Sequence, residues 1–88
     1  MKYTKYFGFM TKEQGRLNLS TRQFQRLMNI VHLEGVLFGL RKAKETHKNT
    51  ASYYKYDILI LNEDIKLDDL TGNQTPELLL QEMVGFSE

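Results

Sequence analysis

The sequence predicts a small α+β domain in which a basic amphipathic helix is followed by a β-hairpin and a C-terminal helix. Three observations lead to that fold class. Apolar residues recur with a helical period over residues 20–34, β-branched and aromatic residues fill residues 52–61, and Thr75-Pro76-Glu77 is typical of a helix start. At 88 residues, with 41% hydrophobic and 26% charged side chains, the chain fits one globular domain.

The first segment, residues 2–10, has the sequence KYTKYFGFM. It favours an extended conformation over a helix, because aromatic residues are enriched in strands. We expect its rings to lie mostly in the core; they are Tyr3, Tyr6, Phe7 and Phe9.

The clearest element is an amphipathic helix over residues 20–34. Its apolar stripe has the spacing i, i+3, i+4 and i+7 and consists of Phe24, Leu27, Met28 and Val31. Ser20 or Thr21 is expected to cap the first turn. Gly35 is expected to end the helix, because glycine readily adopts the left-handed conformation of a C-cap.

An antiparallel hairpin is predicted over residues 36–61. Residues 36–44 form its first strand, the polar residues 45–51 form its tip, and residues 52–61 return. The return strand contains Tyr53, Tyr54 and Tyr56, which we interpret as core and cross-strand contacts. The alternative is that these rings stack on the bases of single-stranded nucleic acid.

The remaining residues are predicted to form an acidic loop over residues 62–74, with a turn at residues 71–73, and then a helix from Leu78 to Phe86. We therefore divide the chain into a core, residues 1–61, and an acidic loop with a C-terminal helix, residues 62–88. That helix is more apolar than a solvated helix needs, so it packs on the core or contacts a second copy or another partner. The candidate contact residues are Leu79, Leu80, Met83 and Phe86.

Charge is divided unevenly along the chain, although the formal net charge is only +1. Residues 1–56 contain all but one of the 12 Lys and Arg residues and three acidic residues, which gives +8; residues 57–88 give −7. Such asymmetry points to a nucleic-acid surface combined with an acidic segment. The acidic part is expected to cover the basic face, to bind a protein partner, or only to keep the chain dissolved.

Several classes of function are excluded by what the sequence lacks. Without cysteine there is no disulfide framework and no thiolate metal site, and an intracellular compartment is the default. The longest purely apolar run is four residues, 58–61, so no membrane span is expected. No zinc motif, phosphate-binding glycine loop or catalytic triad pattern occurs. We expect no enzyme activity, no metal and no cofactor.

Four short motifs stand in order: Leu17-Asn18-Leu19-Ser20, then Arg22 and Arg26, then Gly35-Val36-Leu37, then residues 49–54. Together they resemble the winged helix-turn-helix domains of small phage and plasmid replication or regulatory proteins. The resemblance covers residues 13–58 and implies a winged-helix-like fold that binds double-stranded DNA to control transcription or replication in the cytoplasm of a bacterial host. An unrelated β-α-β-β-α arrangement is the alternative.

The resemblance places the exposed face of the main helix in the major groove, where Arg reads guanine and Gln reads adenine. The basic hairpin tip would contact phosphates or the minor groove. The candidate DNA-binding residues are Ser20, Thr21, Arg22, Gln23, Gln25, Arg26, Asn29, Lys42, Lys44, His47, Lys48 and Asn49. A homodimer is expected, because one such module buries too little surface for tight specific binding. The alternative function is a protein-interaction module, a small phage-type protein that binds and inhibits or redirects a host protein.

Overall fold

A computed structural model shows four helices: α1 (Lys2–Gln14), α2 (Thr21–Thr46), α3 (Ser52–Thr71) and α4 (Pro76–Gly85). The structure describes residues 1–14, 19–48 and 50–85, and all regular secondary structure within those ranges is helical. The predicted α+β fold, with its winged-helix-like β-hairpin, is therefore wrong. The second half of α2, a turn and the first half of α3 occupy the segment that was predicted to form the hairpin.

Helix α2 begins where the sequence predicts and ends twelve residues later than predicted. Ser20 is its N-cap, and the Ser20 hydroxyl accepts a hydrogen bond from the Gln23 N–H at 3.2 Å. The helix runs through Gly35 because the buried face continues beyond that residue: Leu37 lies seven residues after Ile30, and both are buried. Burial of that apolar face against the rest of the protein outweighs the strand preference of residues 36–38.

Helix α3 replaces the predicted strand over residues 52–61 and all but the last three residues of the predicted acidic loop. Half-buried side chains recur every three or four residues along it, at Tyr53, Tyr56, Ile60, Asp64 and Leu67. That period belongs to a helix packed along a neighbour, and the neighbour is α2, with which α3 forms an antiparallel hairpin. The predicted turn at residues 71–73 is confirmed: Gly72 has φ of 62°, and its N–H donates to the Asp68 carbonyl at 2.7 Å.

The core lies at one end of this hairpin, where α1 and α4 pack together against α2. Its buried side chains are Tyr3, Phe7, Leu27, Ile30, Leu79, Leu80 and Met83. The predicted core positions of Tyr3 and Phe7 are confirmed, whereas Phe9 is 57% exposed. The Tyr3 hydroxyl also donates to the Gln74 carbonyl at 2.5 Å, which ties α1 to the turn before α4.

Helix α1 replaces the extended segment predicted over residues 2–10, and its first turn is capped by another helix. The Glu34 side chain of α2 is only 6% exposed and accepts hydrogen bonds from the N–H groups of Tyr3, at 3.0 Å, and Thr4, at 2.6 Å. The Thr4 hydroxyl donates to the same carboxylate at 2.7 Å. The first N–H groups of a helix lack intrahelical partners, so this carboxylate satisfies donors that the local sequence leaves unpaired.

Helix α4 begins as predicted. The Thr75 hydroxyl accepts a hydrogen bond from the Leu78 N–H at 3.3 Å, and Pro76 is the first helical residue. Helices α1 and α4 cover only one end of the hairpin. The second half of α2 and the first half of α3 therefore extend away from the core. The molecule measures 50 × 23 × 19 Å.

Candidate protein interface

The most exposed apolar surface of the hairpin lies on α3, on a face that does not contact α2. It is a row of four large side chains, Tyr54, Ile58, Leu61 and Ile65, which are 72, 62, 59 and 52% exposed. Their separations of four, three and four residues place them in one line along the helix, as in the a and d positions of a heptad. We call these four residues the α3 stripe.

Two ion pairs border the α3 stripe on its α2 side. The Lys44 ammonium pairs with the Asp57 carboxylate, and Arg41 Nη2 lies 3.2 Å from Asp64 Oδ1. The hydrogen bond to Asp57 raises the pKa of Lys44 above its ordinary value. Lys44 Nζ also lies 4.7 Å from the centre of the Tyr53 ring. Charged side chains thus flank an apolar row, the arrangement in which helices pair through a central seam.

These pairs also account for part of the uneven charge in the sequence. Arg26, Arg41 and Lys44 belong to the basic half of the chain, and each pairs with a carboxylate from the acidic half. The pairs of Arg41 and Lys44 lie at the surface, where ion pairs contribute little to stability because water and salt screen them. Their consequence here is electrostatic: acidic α3 lies along basic α2 and reduces the positive field that long-range attraction to phosphate needs.

The first group of predicted DNA-binding residues lies together at the start of α2. The group comprises Ser20, Thr21, Arg22, Gln23, Gln25, Arg26 and Asn29. Together with Leu70 of α3, these residues line one open cleft. Within it, Arg22 and Gln25 are exposed, and Gln25 Nε2 donates to Asn29 Oδ1 at 3.3 Å. Arg26 is turned inward instead: its Nε donates to the Leu70 carbonyl at 2.9 Å and its Nη1 to Glu82 at 3.4 Å. Its guanidinium therefore joins α2 to α3 and α4.

The second group lies at the opposite end of the same helix, some 30 Å away by the helical rise. Lys42 and Lys48 are exposed, and Lys42 Nζ lies 4.6 Å from the centre of the Phe38 ring. The His47 ring donates through Nδ1 to the Ala43 carbonyl at 2.8 Å, so it closes the last turn of α2. Asn49 lies outside the described residues. The structure does not bring the two predicted groups together.

The residues predicted for dimer or partner contact are mostly part of the protein's own core. Leu79 and Met83 are fully buried and Leu80 is 6% exposed, against α1 and the start of α2. Phe86 lies outside the described residues. The apolar character of α4 is thus largely explained by packing within the chain, although Leu78 at its start is 54% exposed. Exposed apolar side chains also occur singly on α1 and α2, but the most exposed row is that of α3.

The sequence contained one signal for the α3 stripe that composition obscured. Residues 52–61 are rich in strand-forming side chains, and their apolar residues also have heptad spacing, which continues to Ile65 across the predicted strand end. A strand ending at Leu61 leaves Ile65 without a role, whereas a helix places it in the same row as Tyr54.

Comparisons with family models, curated proteins and solved structures find no match for this chain. The resemblance to winged helix-turn-helix domains therefore gains no support from relatives, and the all-helical structure of the described residues contradicts the fold that it implied. None of the helices in the described ranges combines the length and the apolar character that crossing a bilayer requires. Among the same residues, no three His, Asp or Glu side chains form a group that could hold a metal ion.

Proposed function

We propose that this protein is a protein-interaction module that presents the α3 stripe to a helix of another polypeptide. The observation that carries the proposal is the uninterrupted row of four exposed apolar side chains on α3. Exposed apolar rows bordered by charged residues mark protein–protein contact surfaces. A helix that lays its own apolar face on such a row is a common mode of recognition.

Two observations favour this function over DNA binding. The two predicted DNA-binding groups lie at opposite ends of α2, and Arg26 is engaged with Leu70 and Glu82. DNA binding through the exposed residues Arg22, Gln25 and Asn29 stays a prediction. The cytoplasm of a bacterial host stays the expected compartment.

In vivo photo-crosslinking tests the proposal. A photoreactive amino acid is placed at Leu61 of the stripe, with a control at Leu59, an exposed leucine on another face of the same helix. We expect covalent protein adducts from position 61 and a background level from position 59. Equal yields at the two positions would refute the proposal, because a specific interface cannot react equally from both faces.

Fluorescence anisotropy with a random DNA duplex at two salt concentrations tests the competing function. A protein-interaction module binds the duplex weakly at both concentrations. Affinity that falls steeply with salt, by about 0.9 logarithmic units per neutralised phosphate for each tenfold rise, and that is lost in Arg22→Glu, would overturn the protein-interaction proposal in favour of DNA binding.

A further inference from the structure

We infer that the partner helix is α3 of a second copy, so that two chains pair antiparallel through their α3 stripes. This inference rests on the proposed function and names its partner. The twofold axis passes at the level between Leu59 and Ile60. Across it, Ile58 of one chain packs on Leu61 of the other, and Tyr54 packs on Ile65.

The spacing of the stripe is the first argument, because it is self-complementary. The separations of four, three and four residues read the same in both directions along α3. An antiparallel second copy therefore places each of the four side chains opposite another member of the same row. A twofold interface requires this property of a patch, since the same surface serves on both subunits.

The second argument is the amount of surface that one copy leaves uncovered. The chain exposes 6386 Å², whereas a compact monomer of this mass exposes about 5,400 Å². Its radius of gyration is 15.2 Å, against about 12 Å for a compact domain of this length. The excess of about 1,000 Å² matches what one partner contributes to a standard interface, about 800 Å².

The charges beside the stripe are compatible with this pairing. On one edge, antiparallel packing places Lys55 of one chain near Asn62 of the other, which avoids opposing like charges. The other edge brings Asp57 near Asp64 of the second copy. These two carboxylates already pair with Lys44 and Arg41 of their own chains, so their charges are countered before the copies meet.

Sedimentation velocity on the purified full chain tests the inference. We expect the wild type to sediment as a species with twice the mass of one chain, a dimer, and Leu61→Glu to sediment as a monomer. The matched control is Leu59→Glu, the same substitution on the same helix at 46% rather than 59% exposure, which should stay dimeric. Both leucines are exposed, so circular dichroism should be the same for all three proteins. A wild-type monomer at about 100 μM, or a dimer equally insensitive to both substitutions, would overturn the inference.

Disulfide trapping tests the antiparallel orientation of the two α3 helices. The sequence contains no cysteine, so no native thiol can form a competing disulfide. In the antiparallel pair, residue 54 lies at the level of residue 65 of the other chain and about 16 Å along the axis from its own equivalent. A disulfide requires Cα atoms about 4.4–6.8 Å apart. Tyr54→Cys and Ile65→Cys should therefore each remain unlinked alone and form a covalent dimer when mixed under oxidising conditions. Self-linked Tyr54→Cys would indicate parallel pairing and overturn the inference.

The two proposals fail in different ways. If position 61 crosslinks a protein of different mass while the purified chain is monomeric, the second copy is the wrong partner and the interaction function stands. If position 61 gives no more adduct than position 59, both proposals fail.

Discussion

Replacing Glu34 with alanine removes the carboxylate that caps α1 from the neighbouring helix. The carboxylate accepts hydrogen bonds from the Tyr3 N–H, the Thr4 N–H and the Thr4 hydroxyl. Each bond to a charged acceptor contributes about 1.5–3 kcal/mol, and a stranded buried donor costs about 1–3 kcal/mol. Thr4 is half-buried, so water can replace part of the hydrogen bonding that it loses with the carboxylate. Tyr3 is buried, so its N–H would stay without a partner.

We therefore expect Glu34→Ala to lower the free energy of unfolding by about 3 kcal/mol, a large part of the ~5–15 kcal/mol typical of a domain. For a chain of this length that loss lowers Tm by roughly 12–24 °C. Glu34→Gln keeps one acceptor oxygen but turns an amide donor toward the N–H groups and loses the negative charge at the helix start. Its expected cost is about half as large.

Urea denaturation followed by circular dichroism measures these losses, and hydrogen exchange at the Tyr3 amide locates them. Glu45→Ala is the matched control, because it removes the same charge from an exposed position of α2. Its expected change is within about 0.5 kcal/mol. If Glu34→Ala and Glu45→Ala have the same unfolding midpoint, the capping role assigned to Glu34 is wrong.

Three further substitutions have defined outcomes. Gly39→Ala should raise the free energy of unfolding by about 0.5–1 kcal/mol, because a Cβ there meets no atom within 4 Å; an unchanged urea midpoint would contradict this. Arg26→Met should lower it by about 1–2 kcal/mol through the lost bond to the Leu70 carbonyl, whereas the exposed Arg22→Met control should stay within about 0.5 kcal/mol. Because the folded pKa of Lys44 is raised, its stabilising contribution is complete below the ordinary lysine pKa of about 10.4 and is lost as pH rises through the raised value. The stability difference between wild type and Lys44→Met should therefore be constant from pH 7 to 9 and shrink above that pKa; a difference that shrinks on acidification from pH 9 to 7 would refute the sign.

The elements that the sequence predicts correctly are those whose signals are local. Ser20 caps α2 and Thr75 caps α4 through hydroxyl groups that lie three residues before the N–H groups they accept from. Helix α1 has no such signal, since its cap is Glu34, about 30 residues further along the chain. Only the folded arrangement of α1 on α2 brings the carboxylate to the first turn.

The predicted strand over residues 52–61 is wrong because composition and spacing point to different structures in that segment. Tyr and Ile favour strands, yet the half-buried residues Tyr53, Tyr56 and Ile60 recur at helical intervals. Gly35 and Gly72 show a related limit. The sequence predicts a helix end at the first and a turn at the second, but buried Leu37 follows Gly35, so α2 continues, while α3 ends at Gly72 in a left-handed turn.

The candidate site was less predictable than the helices because ion pairing depends on which elements become neighbours. Arg26 looked like an exposed basic residue, and its partners lie 44 and 56 positions away along the chain. The apolar row on α3 was readable from its spacing once that segment is taken as a helix.

The packing of α1 on α4 also governs how the chain folds as it is synthesised. Tyr3 and Met83 share one core, so the cluster cannot close until the ribosome has added the 80 residues from Thr4 to Met83. At about 5–20 residues per second that interval lasts about 4–16 s. An isolated 13-residue helix with a distant cap is marginal in water, so α1 acquires its structure only after α2 has formed. The α2–α3 hairpin, whose contacts are closer in sequence, does not depend on that closure, whereas the aromatic side chains of α1 reach their full burial only when α4 joins them.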